Sequence, residues 1–146
     1  MIKLILLFIL SFNILYALDR DSTLKIYLDI FKSLSPYKAI HKIYLKDKEY
    51  INVFQYSSKI YLVNNIKSAD IILITNNSNI DYILKEKHKK SILFTTNYHI
   101  LKNINYIVGA FYWRKGRSQL LFIKNRLENC NIHLPSKYQD YMVDEL

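Results

Sequence analysis

Two nearly unbroken apolar runs constrain this chain more than anything else in it: Ala69-Asp70-Ile71-Ile72-Leu73-Ile74-Thr75 and Ser91-Ile92-Leu93-Phe94-Thr95-Thr96-Asn97. Both are short, rich in β-branched and aromatic residues, and lack polar alternation. A strand of that kind has no face it can offer to water, so it must be covered on both sides. Segments of helical spacing lie around and between such strands. That alternation argues for a three-layer α/β domain built on a mostly parallel sheet.

The remaining elements follow from spacing. Ser22 is placed to cap a helix whose apolar stripe is Leu24, Tyr27, Leu28, Phe31 and Leu34, stopped at Ser35-Pro36. His41 to Lys46 and Lys59 to Val63 read as strands, with a short helix between them capped by Asp47. Ser78 with Asp81 opens a helix after the first apolar run, and a helical turn over Tyr98 to Leu101 follows the second. Asn105 to Trp113 and Gln119 to Ile123 form an antiparallel hairpin turned by Arg114-Lys115-Gly116-Arg117 at the C-terminal edge. A helix from about Lys124 carries Leu127 and Cys130, and Leu134-Pro135 starts a last helix with Tyr138, Tyr141 and Met142 on one face.

The first residues form a different unit. Lys3 precedes an apolar stretch from Leu4 to Leu15, and Leu15-Tyr16-Ala17 ends in a small residue before Asp19, Arg20 and Asp21. This is the pattern of a cleavable secretory signal over residues 1–17, leaving 18–146 as a single domain. A membrane anchor would need ~20 apolar residues before its first charges. Export to the periplasm is the expectation.

Composition narrows the chemistry. With one cysteine, Cys130, no intramolecular disulfide and no cysteine-pair metal site can form. Half of the residues, 51%, are apolar, so the core can hold the domain without staples. Cys130 is expected as a small buried helix residue. Lys3 is the only charge in the first 17 residues, so the formal net charge of +9 becomes +8 without them. The basic residues are spread along the chain apart from Lys85 to Lys90 and Arg114 to Arg117, both read as solvated surface, and nucleic acid is not an expected partner. His41, His88, His99 and His133 show no metal-pair spacing, no G-x-S-x-G turn is present, and no Gly-rich loop could cradle a phosphate. His99 could be matched with Asp81 or Asp70 only on paper. We expect a non-enzymatic protein without metal or cofactor.

What the pattern does offer is position. In a parallel α/β sheet, ligands sit beyond the carboxyl ends of the strands. There the two buried runs end in Thr75-Asn76-Asn77-Ser78 and Thr95-Thr96-Asn97-Tyr98. Thr75, Asn76, Ser78, Thr95, Thr96 and Asn97 are therefore candidate ligand contacts, although the same residue types serve as ordinary turn and capping groups. In the hairpin, Phe111, Trp113, Arg114 and Arg117 combine aromatic surface with guanidinium groups, the composition of a protein-contact patch.

The C-terminal part resembles the YfiR-like family of small periplasmic proteins. The likeness lies in Gly109 to Trp113, the turn Arg114 to Arg117, Leu120 to Asn125, and Asn131 to Tyr138, with Ala69 to Ile74 matching a buried strand. The resemblance spans roughly Lys59 to Tyr141, and the cysteines of that family are missing. It implies a Rossmann-like domain that regulates an inner-membrane signalling partner, a diguanylate cyclase or sensor kinase, by protein contact. Two functional readings thus stand side by side: a relay of that kind, and a periplasmic binding protein for a small ligand at the strand ends. An anionic-surface binder using the +8 charge is a third, and a homodimer is left open. Because the apolar stretch runs straight into Leu15-Tyr16-Ala17, protein isolated from the envelope should begin near Leu18. Terminal sequencing checks this, and recovery of Met1 on a membrane-embedded form would contradict it.

Overall fold

The computed structural model describes residues 19–146, so the expected signal peptide and its cleavage point lie outside the described residues. Helix α1 covers 19–34. Then follow β1 (His41–Tyr44), α2 (Lys48–Phe54), β2 (Ile60–Leu62), a single 3-10 turn η1 (Ile66–Ser68) and β3 (Ile71–Ile74). The chain continues through α3 (Ile80–Glu86), β4 (Ile92–Thr95), α4 (Tyr98–Asn103), β5 (Ile107–Arg114) and β6 (Arg117–Ile123). It closes with α5 (Lys124–Asn129), a second 3-10 segment η2 (Ser136–Tyr141) and the two-residue β7 (Met142–Val143). None of the described helices is long and apolar enough to cross a membrane.

The strands form one seven-stranded sheet in the order β2-β1-β3-β4-β5-β6-β7. The first five run parallel, β6 is antiparallel to β5, and β7 is parallel to β6. The parallel part has the 2-1-3-4-5 order of a doubly wound α/β fold, whose topological switch lies between β1 and β3. All four residues of β3 are buried, each contributing about 2 kcal/mol through area removed from water. On one face Ile43, Ile71, Leu73 and Phe94 pack under Tyr27, Ile30, Phe31 and Leu34 of α1 and Phe54 of α2. On the other, Ile72, Ile74 and Leu93 pack under Ile66, Ile83 of α3 and Leu101 of α4.

Several local expectations are corrected. Ser22 lies inside α1 and does not cap it. Asn79 caps α3 by accepting from the Tyr82 N–H, because the Ser78 hydroxyl is already bonded back to Thr75 N at 2.9 Å. The last helix is a 3-10 segment that yields to β7, so β7 rather than the hairpin forms that edge of the sheet. Cys130 is exposed at the C-terminal end of α5, where the apolar stripe has run out after Leu127. The hairpin turn itself is as expected, with Lys115 (φ 51°) and Gly116 (φ 75°) both in the left-handed region that a two-residue type I′ turn requires.

Two long-range ties join the ends of the chain to the body. The Arg126 guanidinium donates to the Leu101, Ile104 and Ile107 carbonyls at 2.9–3.0 Å, satisfying backbone acceptors where α4 ends and β5 begins. Asp29 of α1 accepts from Lys137 Nζ and, at 2.9 Å, from Tyr138 Oη. That ammonium holds the Asp29 carboxyl below its ordinary range. A depressed carboxyl stabilises the fold above about pH 4 and loses this contribution as pH falls further. Since both partners are half-exposed, the tie is worth no more than a surface pair.

One irregularity sets the face of everything after it. The register of β4 against β5 slips between Leu93/Ile107 and Phe94/Gly109, so Val108 is an extra residue on β5. Val108 and Gly109 consequently turn to the same side, and the phase of the strand is reversed beyond them. Gly109 faces Phe122 across the hairpin, and a Cβ there would stand 2.6 Å from the Phe122 ring and 2.7 Å from the Leu121 carbonyl. Gly109→Ala should therefore cost about 1–3 kcal/mol by overpacking. Urea unfolding measures this, and an unchanged midpoint would contradict the close approach.

Candidate functional site

The 2-1-3-4-5 order brings the segments that follow β1, β3 and β4, and the end of β5, to one edge of the sheet. There they enclose an open cavity of about 620 Å³, within the range of small-molecule pockets. Its walls are Asp47, Glu49 and Tyr50 from the start of α2, Thr75 to Asn77 after β3, Thr96 to His99 after β4, and Tyr112 to Arg114 from β5. A groove of about 760 Å³ lies along α1 and includes the buried His41. It opens at the amino ends of β1 and β2, beside the start of the described chain. The carboxyl-end cavity is the better placed for a ligand.

The side chains that shape the cavity are held from below by turn chemistry. Asp47 caps α2 by accepting from Glu49 N at 3.0 Å, and its second oxygen accepts from Asn77 Nδ2 at 3.3 Å. Asn97 caps α4, accepting from His99 N at 2.7 Å and Ile100 N at 3.1 Å, while its Nδ2 donates to Asn76 Oδ1. The two loops are thus stitched to each other and to α2. Tyr98 and Tyr112 pack with ring centroids 5.5 Å apart. Burial pushes the Tyr50 phenol up, against the lowering by the Tyr27 and Thr96 hydroxyls beside it. Burial likewise raises Tyr112, and Arg114 opposes it. These phenols stay protonated near neutrality, so each can donate as well as accept a hydrogen bond.

Two threonines at the ends of β3 and β4 play opposite parts. Thr95 is fully buried, and its hydroxyl donates to Ile74 O at 2.8 Å and accepts from Asn97 N at 3.2 Å. It is a structural residue, and its candidacy as a ligand contact is withdrawn. Thr75 lies on the cavity floor at 2% exposure, and its Oγ1 is buried with no hydrogen-bond partner among the described residues. An orphan hydroxyl of this kind costs about 1–3 kcal/mol. Ser78 is also withdrawn, because its hydroxyl is spent on Thr75 N and it lines a separate hollow with Tyr82 and Ile83.

The hairpin candidates divide as well. Phe111 is buried in the core, with its ring edge-on to Tyr27 at 5.5 Å, so it offers nothing to a partner. Trp113 is 68% exposed and stands with Arg114 at the rim of the cavity. Arg117 is exposed on the far side of the turn and does not line the cavity. Thus Thr75, Asn76, Thr96 and Asn97 come together with Trp113 and Arg114, two groups that the sequence had suggested separately. Glu49, Tyr50, His99 and Tyr112 were missed as ligand contacts, while Asn77 and Tyr98 lie within the two strand-end segments already named. The signal for the first two was Asp47 itself, a cap directly after a strand that the topology sets beside β3. Asp70 precedes β3 while His99 follows β4, so these two stand at opposite ends of parallel strands, and Asp81 on α3 is not among the residues that line the cavity with His99. Among the described residues, no three His, Cys, Asp or Glu side chains gather as a metal site needs.

The contrast between the threonines is directly testable by urea unfolding. Thr75→Val removes a hydroxyl that bonds to nothing, so it should stabilise the fold by about 1 kcal/mol. Thr95→Val leaves the Ile74 carbonyl its bond from Thr96 N but takes the acceptor from Asn97 N–H, and should destabilise by about 1–3 kcal/mol. Equal losses in the two variants would contradict the assignment. No protein-family model, no curated protein and no solved structure matches this chain.

Proposed function

We propose that the chain is an exported, non-enzymatic α/β binding protein that takes a small polar ligand in the cavity beyond β1, β3 and β4. The observation that carries this reading is the gathering of Asn76, Thr96, Tyr98, Tyr112 and Trp113 around one cavity at the carboxyl edge of the sheet, with the unpartnered Thr75 hydroxyl buried beneath its floor. Folded chains leave few such groups, and a ligand polar group is one way to satisfy it. Trp113, Tyr98 and Tyr112 supply aromatic surface around the polar floor, and the few convergent polar groups fix orientation. Trp113 is the only tryptophan in the chain, so its emission reports on the rim alone. Protein purified natively, then denatured and filtered, should release a small molecule that shifts Trp113 emission saturably when added back. Release of nothing, with a silent Trp113 across an extract of envelope metabolites, would contradict the reading.

A relay to an inner-membrane signalling partner, as the YfiR-like resemblance implies, is supported by the exposure of Trp113 beside Arg114 and Arg117. The two readings are compatible, because a ligand under Trp113 would change the surface that a partner meets. Cross-linking to membranes separates them. Trp113→Ala with Arg117→Ala should abolish capture of the partner while the domain still unfolds cooperatively. Lys87→Ala with Lys89→Ala should leave capture intact, and equal capture by both variants would remove the hairpin from consideration.

A further inference from the structure

We infer that the ligand class of the carboxyl-end cavity is a short neutral saccharide, an inference that rests on the cavity being a ligand site at all. Exclusion carries the first half of the case. A phosphate or other strong anion would seek free helix N–H groups and cationic side chains. At this edge the Asp47 side chain already takes Glu49 N–H of α2, and the Asn97 side chain takes His99 and Ile100 N–H of α4. The lining carboxylates, Asp47 and Glu49, outnumber the single guanidinium of Arg114. An apolar ligand is equally mismatched, since it would cover the tyrosine and threonine hydroxyls of the walls without pairing them.

What remains favours a ring that carries hydroxyls on its edge and C–H groups on its face. Tyr50, Thr96, Tyr98 and Tyr112 put four hydroxyls in the walls, and Asn76 Nδ2 and Asn77 Oδ1 are not used in the contacts between the loops. Hydroxyls and amides both donate and accept, which matches sugar hydroxyls that do the same. A carboxylate can span two neighbouring sugar hydroxyls, and the exposed Glu49 lines the cavity. The exposed Trp113 ring at the rim can lie against the C–H face of a pyranose, where dispersion rather than charge provides the attraction. An aromatic rim over an uncharged polar floor gives specificity through the number and orientation of hydroxyls, because a buried polar group left unpaired by the wrong sugar is strongly penalised.

The test is a set of amide-proton NMR titrations of the purified protein with maltotriose, cellotriose and diacetylchitobiose, run beside glutamate, leucine and inorganic phosphate. The expected result is saturable movement of the Thr75, Thr96 and Asn97 amides and the Trp113 indole with at least one saccharide. Asn76→Ala and Trp113→Ala, both at exposed positions, should each weaken that binding at least tenfold while the rest of the spectrum is unchanged. Movement of the same signals by an amino acid or phosphate, with saccharides silent, would overturn the saccharide assignment and leave the cavity as a ligand site. Saccharide shifts confined to other surfaces, or unaltered affinity in both variants, would also overturn it. If no probe moves these residues, and native protein releases no small molecule, the cavity reading falls with it.

Discussion

The fold depends on β3 being apolar on both faces. Ile71 and Leu73 pack on one side and Ile72 and Ile74 on the other, so neither side can be left to water. That requirement calls for helices above and below, and it sets β3 in the interior of the sheet, between β1 and β4. Once β1 lies beside β3, the loop after each strand opens at the same edge, and Asp47 comes within hydrogen-bonding reach of Asn77, thirty residues away in sequence. The cavity is therefore a consequence of core burial and topology. Its chemistry is added by what the loops carry.

The second determinant is the bulge at Val108. Without the extra residue, Phe111 and Trp113 would fall on the α3 and α4 side of the sheet and Ala110 and Tyr112 on the other. With it, Phe111 enters the aromatic cluster of Tyr27, Phe31 and Phe54, and the next residue of that face, Trp113, emerges just past the core at the cavity rim. Gly109 is the residue that permits this, because the facing Phe122 ring and Phe94 leave no room for a Cβ. One small residue in the middle of a strand thus decides which aromatic stands guard over the loops of β3 and β4.

Much of this was legible in the sequence, and the reasons are local. Unbroken apolar runs announced β3 and β4, Asp47 announced α2, and Lys115-Gly116 announced the turn. What could not be read was anything depending on who sits next to whom. Thr75 and Thr95 close similar apolar runs, yet only the register, which sets Thr95 rather than Thr75 beside its neighbour's last residue, tells that Thr95 bonds to Ile74 and Thr75 does not. Phe111 and Trp113 share a face, but burial ends between them because the strand outruns the helices that cover it. Cys130 and Ser78 were assigned by residue type, and each was overruled by a neighbour: the end of the stripe at Leu127, and the Thr75 N–H.

The proposed role of the carboxyl-edge cavity stands or falls on whether a small molecule occupies it. The most direct measurement is a high-resolution crystal structure of protein purified from its native envelope without refolding. Density is expected for a bound small molecule between the Trp113 ring and the Thr75 to Asn77 and Thr96 to Asn97 loops, with the loop after β3 shifted so that the Thr75 hydroxyl bonds to it directly or through one water. A cavity closed by Tyr50 and Asn76, with the Thr75 hydroxyl bonded to a protein group and no molecule bound, would contradict it.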